Sequence, residues 1–523
     1  MPSGLEKLIK LETMSRFVVG QEFSKDMVSS GLKSLEKLDK SRGRLAIELT
    51  RDWKTAIPEA SQVELQKKIH LEELKISWPK TVLNCKETSH LLSDHEKLPY
   101  KKLLENLQPN SNLKILCIEG YKGQDFPFWA GVNMLASCLP DLVVISIEGC
   151  DKCKYLPPFG KLKYLKRLTL RHMANVQFVQ RETFREVSAG DSQDQEHTHV
   201  SPFFPALEEL TLHNFYKLEG WWKEEMMVAP PENIPPFPCL SKLRVWNCPK
   251  LRSMPSFVEV SDLDLRNVNQ MLLEESAKNI PINPDFHLKC LQIKACSNLR
   301  SFTTVRKGLG GSLSLLQELV IEKCHALSSL ASELSYLPSL EKLEISNCKE
   351  LDLSDYGSNN MGNRESVSTP WTSLACLRHL TLQEIPKMKS LPEWLKHVQT
   401  LKSLWISSCT ALTVLPQWID NLTALQHLRI ENCEAVTRLP DELENVESLK
   451  KVEITECTAL MERCREHTGE DWHKIRHARV LLHKSWRYGL IPELRASQNR
   501  YNIRAPTDIK YIIIPIIATE AII

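Results

Sequence analysis

Apolar residues return at fixed offsets in four stretches that open at Leu377, Leu401, Leu425 and Leu449, each 24 residues after the last. At Leu401 the chain reads L-K-S-L-W-I-S-S-C-T-A-L-T-V-L-P, and at Leu425 it reads L-Q-H-L-R-I-E-N-C-E-A-V-T-R-L-P. The shared pattern is L-x-x-L-x-[IL]-x-x-[C/apolar]-x-x-[L/apolar]-x-x-L-P. Alternation across its centre predicts a short strand buried on one face, and the remainder predicts a return segment. One coil of this size cannot bury its own apolar face, so the pattern predicts stacked coils, a solenoid.

The same pattern reaches far back along the chain. Leu316 opens L-Q-E-L-V-I-E-K-C-H-A-L, and 24 residues later Leu340 opens L-E-K-L-E-I-S-N-C-K-E-L. Looser copies open at Leu71, Leu113, Leu142, Leu165, Leu207, Leu240, Val260 and Leu288, and weaker ones at Leu11 and Arg42. Period and signature are those of a leucine-rich repeat. The expected fold is an α/β solenoid, a horseshoe with a concave parallel β-ladder and an irregular or short-helical convex side. About fourteen to sixteen coils at the strand spacing of a sheet give a ladder of roughly 70 Å. This makes residues 1–479 one elongated domain, with a C-terminal cap near 461–477 and a non-repeat, poorly ordered tail at 480–523.

Polar interruptions at 79–100, 180–202 and 352–370 lengthen the period and are expected as surface loops. Within the first, apolar residues at 100, 103, 104 and 107 have helical spacing and predict a short convex-side helix. Trp394 and Trp418 occupy matching places in successive coils and are expected in the convex-side core. The end of the stack needs a lid. Trp472 and Ile475 would share one helical face there, with Glu470 and Asp471 at its N-terminus.

Charge narrows the functional classes. The chain carries 67 basic and 65 acidic side chains, a net +2 over 523 residues, so no global field draws it to nucleic acid or membrane. The most apolar run, 511–523, is broken by Pro515 and Glu520 and is too short to span a bilayer. The N-terminus has no uninterrupted apolar stretch of signal-peptide type. A cytoplasmic location is therefore expected. Eight of the sixteen cysteines follow the coil period: Cys150, Cys248, Cys296, Cys324, Cys348, Cys409, Cys433 and Cys457. Such thiols are expected to act as small buried residues and weak donors where the chain leaves each strand, not as disulfides. Cys150 and Cys153 lack a second pair at zinc spacing, and His197 and His199 sit with Glu196 in a polar insertion; no metal or other cofactor is expected at either.

Several elements together resemble the leucine-rich repeat region of plant nucleotide-binding disease-resistance proteins of the coiled-coil class. They are the Cys-bearing repeat, Ile118-Glu119-Gly120-Tyr121 followed by Phe126-Pro127-Phe128-Trp129, and Cys150-Asp151-Lys152-Cys153 leading to Leu156-Pro157-Pro158-Phe159-Gly160-Lys161-Leu162. The closing R-C-x-x-x-x-G-E-D-W-x-K-I-x-H, from Arg463 to His477, is the most specific. The resemblance covers about 1–479. It implies repeats that sense pathogen effectors, or host proteins altered by them, and that restrain a nucleotide-binding switch domain. This chain has no G-x-x-x-x-G-K-[ST] loop to cradle phosphates and opens mid-pattern, so nucleotide binding does not carry over. The expectation is a sensing arm without its switch, with that domain as a partner in cis or in trans. Residues 480–523 match nothing in the family and are read as a product of truncation or of the gene model.

Strand alternation then selects the outward positions on the concave face. The candidate partner-binding residues are Arg167, Arg171, Lys242, Arg244, Trp246, Lys294, Trp405, His427 and Arg429. The basic residues outnumber Glu209 across the middle coils, which predicts an electropositive centre suited to an acidic protein partner. Trp246 and Trp405 are expected exposed in the same ladder, and Trp and Arg are enriched in interface hot spots. No nucleophile elbow, kinase loop or H-E-x-x-H motif is present, so an enzyme is not expected. The second reading is a repeat-based substrate adaptor or scaffold, such as the arm of a ubiquitin ligase. An extracellular receptor would favour Asn over Cys in the repeat and many sequons, whereas Asn421-Leu422-Thr423 is the one noted.

Overall fold

The two apolar residues at the centre of each repeat sit two apart and so project to one side of an extended chain. In the computed structural model both are buried in nearly every coil, as with Leu404 and Ile406 or Leu428 and Ile430. Fully burying one such side chain stabilises by about 2–3 kcal/mol, which explains why these positions recur more strictly than any others. The structure describes residues 7, 11–12, 14–19, 31–38, 42–50, 53–79, 94–131, 134–180, 203–222, 237–252, 254, 259–274, 287–309, 313–353 and 374–483.

Seventeen strands form one parallel sheet. In chain order they are β1 (Arg16–Val19), β2 (Gly43–Leu49), β3 (Leu71–Ser77), β4 (Ile115–Glu119), β5 (Val144–Glu148) and β6 (Arg167–Arg171). A two-stranded parallel ribbon of β7 (Phe178–Gln180) and β9 (Gly220–Trp222) brackets β8 (Glu209–His213), which continues the main sheet. Then follow β10 (Lys242–Trp246), β11 (Asp262–Arg266), β12 (Cys290–Lys294), β13 (Glu318–Glu322), β14 (Lys342–Ser346), β15 (His379–Gln383), β16 (Ser403–Ser407), β17 (His427–Glu431), β18 (Lys451–Thr455) and β19 (Arg479–His483). From β4 to β19 every ladder strand has five residues and pairs with the next without slippage. The fold is therefore the leucine-rich repeat solenoid, with β2 at the weak copy read at Arg42 and β1 three residues later than the one read at Leu11, since Phe17 and Val19 are its buried pair.

Each strand ends at a left-handed corner. Thirteen successive corner residues have positive φ, beginning with Gly120 at +77°, Gly149 at +72°, His172 at +57° and Asn214 at +62°. Each donates its backbone N–H to the carbonyl of the last strand residue one coil on, as Gly120 does to Glu148 at 2.7 Å and Ser408 to Glu431 at 2.9 Å. Beside the corners lie the eight period-matched thiols, all buried. Each donates back to the carbonyl two residues earlier, for example Cys409 to Ser407 at 3.4 Å and Cys433 to Glu431 at 3.3 Å. Burial pushes the thiols of Cys348 and Cys457 up to about 11 and those of Cys248 and Cys409 up to about 12, so they remain protonated donors at neutral pH. The fifteen described cysteines are all free.

The predicted convex helix spans Asp94–Asn106, starting earlier than its apolar spacing indicated, and buries Leu103 and Leu104, with Leu107 just beyond it. Trp394 is fully buried on the convex side, whereas Trp418 is partly buried and donates its indole N–H to Glu393 at 3.1 Å. The cap forms from Asp471, which is buried and accepts from Arg463, from Lys474 at 2.9 Å and from the Leu439 amide at 2.9 Å. Lys474 in turn donates to the Leu439 carbonyl at 2.7 Å, and Ile475 is fully buried below. The closing motif is thus a buried ion cluster clamped to the preceding coil, around a single 3-10 turn at Trp472–Lys474 rather than a longer helix.

The array does not stop there. β19 adds one more rung in register with β18, from Arg479 beside Lys451 to His483 beside Thr455. The boundary expected at 479 falls inside the ladder, because the sequence after the cap lacks the Cys-bearing half of the repeat and offers only Val480, Leu481 and Leu482. Residues 484–523 lie outside the described residues, as do most of the three polar interruptions and the Glu196, His197 and His199 group.

Candidate recognition face

Strand alternation leaves three outward columns on the concave face. Through the centre the first runs Arg167, Glu209, Lys242, Asp262, Cys290, Glu318 and the second Thr169, Thr211, Arg244, Asp264, Gln292, Val320. The third runs Glu148, Arg171, His213, Trp246, Arg266, Lys294, Glu322. All nine sequence-selected residues fall in these columns: Arg167, Lys242 and His427 in the first, Arg244, Trp405 and Arg429 in the second, Arg171, Trp246 and Lys294 in the third.

Two expectations about that face change. The centre is not simply electropositive, because β11 interposes Asp262 and Asp264, outward residues of the Val260 coil that the sequence reading passed over. Asp264 is buried and forks onto Arg266, with bonds of 2.6, 2.9 and 3.1 Å. Glu209 sits between Arg167 at 3.1 Å and Lys242 at 3.4 Å, and Lys294 lies 3.5 Å from Glu322. Burial acts to raise the Glu209 carboxyl, yet its two basic neighbours hold it below the ordinary range. Asp262 is instead raised, by burial first, with Arg244 opposing. Arg171 is the exposed cation of this stretch that makes no ion pair among the described residues.

The tryptophans are also less exposed than expected. Arg266 lies over Trp246 at 4.3 Å from its ring centroid, and Arg429 over Trp405 at 4.6 Å. In both cases the guanidinium comes from the register partner one strand on. Both indole N–H groups are buried without an acceptor among the described residues. Arg429 is further held by Glu431 at 2.8 Å and Glu453 at 3.7 Å. Each Trp therefore serves as a platform for the guanidinium above it.

A feature that sequence reasoning missed lies at the rim where β3 to β8 end. A cavity of about 430 Å³ opens there, bordered by Trp78, Glu119, Gly120, Lys122, Glu148, Gly149, Asp151, His172, Ala174, Asn214 and Tyr216. Its signal was present as Glu-Gly at the same offset in two successive coils. Without Cβ atoms at those corners the rim recedes. A Cβ on Gly120 would come within 3.2 Å of the Trp78 carbonyl oxygen. Lys122 donates to Asp151 at 2.8 Å and to the Gly149 carbonyl at 3.1 Å, and Glu119 is paired with Lys75 at 2.7 Å. Nearby Cys150 and Cys153 are both buried, and the Cys153 thiol donates to the Gly123 carbonyl at 3.2 Å.

Comparison with known proteins agrees with this architecture. Residues 32–173 match the family model described as R13L1/DRL21 leucine-rich repeats. Residues 125–277 and 304–434 match that of "Plant disease resistance protein RPS2-like, leucine-rich repeats". Putative disease resistance protein At3g14460 of Arabidopsis thaliana is 29% identical over 52% of this chain and 18% of its own length. The putative disease resistance RPP13-like protein 1 of the same plant is 27% identical over 62% and 31%. Disease resistance protein RGA2 of Solanum bulbocastanum is 28% identical over 56% and 26%. The chain thus spans less than a third of the length of these curated relatives.

Proposed function

We propose, from the premise that this chain belongs to the RPS2-like leucine-rich repeat family of plant disease resistance proteins, that its concave face is a protein-recognition surface. On this reading it engages a pathogen effector, or a host protein altered by one, and restrains a nucleotide-binding switch domain. It works by binding rather than by catalysis. The observation that carries the reading is the concave ladder itself: two Trp-supported arginines and Arg171, which makes no ion pair among the described residues, face outward on one continuous sheet, the residue types on which interfaces concentrate their binding energy. Fifteen free thiols support residence in a reducing compartment such as the cytoplasm. Among the described residues no helix is long and apolar enough to cross a membrane.

The test uses the nucleotide-binding region of a matched relative as bait. Arg171→Glu and Arg244→Gln should each reduce its co-precipitation with the full chain by about fivefold, the range of one charged contact, while the thermal midpoint stays at the parent value. Arg171 is the cleaner site, since it makes no ion pair among the described residues, whereas Arg244 also acts on the carboxyl of Asp262. Trp405→Ala confounds the two readouts, because it also removes the platform under Arg429. Undiminished co-precipitation by both arginine variants would sink the concave-face reading.

A further inference from the structure

We propose that the rim cavity between β3 and β8 is a side-chain pocket for a lysine or arginine of the bound protein partner. The proposal deepens the concave-face reading and takes its partner from it. At about 430 Å³ the cavity falls within the range of ligand pockets and has room for one long side chain with the backbone that carries it. Two features of its wall point independently to a cation.

The first is an uncompensated carboxylate. Of the three acids on the wall, Asp151 is neutralised by Lys122 and Glu119 by Lys75. Glu148 has no ion pair or hydrogen bond from its side chain among the described residues, although Arg171 is its register neighbour. It stands in the third concave column between Glu119 and Arg171, at a point where that column borders the cavity. A chain lying across the concave face can therefore drop a side chain past it.

The second is an aromatic face. Tyr216 is 52% exposed and borders the cavity just after β8, two ladder strands on from the strand that carries Glu148, and its ring offers a face to a cation. Gly120 and Gly149 make the space, since the equivalent corners of later coils carry Lys323, Glu384 or Asn432. A neutral apolar side chain would gain from the tyrosine and glycines but would leave Glu148 desolvated and unpaired. A carboxylate would be repelled. The pocket discriminates by charge.

The probe is N-acetyl-arginine amide, titrated into the full chain and followed by ligand-observed NMR. It should bind, with N-acetyl-norleucine amide weaker by about fivefold or more, as the loss of one charge pair predicts. Glu148→Gln should weaken the arginine probe by a similar factor, Glu148→Lys should abolish its binding, and Ala174→Trp, on the cavity wall, should block it sterically. Thermal midpoints of all three variants establish that they fold. Lys396→Gln, on the convex-side turn at Glu393–His397, should leave the probe unaffected. Equal binding of the two probes, absence of arginine binding, or full binding to Ala174→Trp would overturn the pocket. Those results would leave the Arg171 experiment standing. An unaltered probe alongside undiminished bait capture would remove the concave-face reading and keep the pocket.

Discussion

From β15 to β18 the coils recur every 24 residues, whereas from β3 to β8 their starts are spaced between 23 and 42. The regular stretch builds strength from identical neighbours. Its corners carry side chains, Glu384, Ser408, Asn432 and Glu456, all at φ between 50° and 54°. Its thiols stack, Cys409 by Cys433 by Cys457, and its convex side repeats a Pro-led 3-10 turn at Glu393–His397, Gln417–Asn421 and Asp441–Asn445. The irregular stretch has glycine at two successive corners and opens a cavity where its neighbour is filled. A solenoid's stability comes from sameness between coils, and its specificity comes from departures from it.

The largest effect should come from the end of the regular stretch. Asp471→Ala leaves Arg463 and Lys474 without their shared carboxylate and orphans the Leu439 amide. Breaking a buried ion cluster in this way costs about 3–5 kcal/mol. Urea denaturation followed by amide exchange should show the loss concentrated in β17 to β19, and a uniform loss along the array would contradict the local coupling of coils. Acid should act in the same place. Burial opposes ionisation of Asp471, but Arg463, the Leu439 amide and Lys474 hold its pKa below the ordinary carboxylate value. Its contribution is thus present above that ordinary value and is lost as pH falls through the lower folded one.

The corners give a direct contrast of intermediate size. Gly149→Ala places a Cβ at φ +72° and should cost about 1–2 kcal/mol, while Ser408→Gly at the equivalent corner should change stability by no more than about 0.5 kcal/mol. Equal responses in urea midpoints would mean that glycine at Gly149 is not required by its backbone. Alkali probes the buried thiols instead. Burial raises the thiols of Cys348, Cys409 and Cys457 from an ordinary 9.0 to about 11 to 12. The folded state then holds more protons than the unfolded one, so stability declines as pH rises through 9 toward those values. Thermal melts between pH 8 and pH 10.5 should show the decline, and Cys409→Ala should reduce it. Smallest of all, Arg171→Glu should leave the melting temperature within about 1 °C of the parent, as is usual for exposed sites outside ion pairs.

Much of this was legible in the sequence because a solenoid repeats its physics. The L-x-x-L-x-I core located fifteen strands, from the weak copy at Arg42 to the strong one at Leu449, and the period assigned the cysteines to the corners; the copy read at Leu11 falls three residues early, since Phe17 and Val19 are the buried pair of β1. What remained hidden depended on neighbours in space. Arg266 and Arg429 cover Trp246 and Trp405 only because parallel register sets them side by side. Asp262 and Asp264 neutralise the centre from a coil whose opening residue, Val260, is the least typical of the set. β19 follows a cap that interrupts the pattern, so nothing in Arg479–His483 alone marks a rung. The cavity arises from the absence of two side chains, which a search for chemically active residues passes by.

The left-handed corners have a mechanical consequence. From Gly120 to Glu456 each corner amide bonds to the coil ahead, parallel to the strand bonds beside it, in an unbroken file. The concave side is therefore tied twice per coil and resists stretching. The convex turns are bonded mainly within their own coils and can part more easily. Pulling the two ends should straighten the horseshoe by spreading its back, with the inner surface acting as an inextensible strap. A ligand gripping that strap at distant rungs would then meet a nearly rigid ruler, and any change of curvature it caused would appear as displacement at the far end.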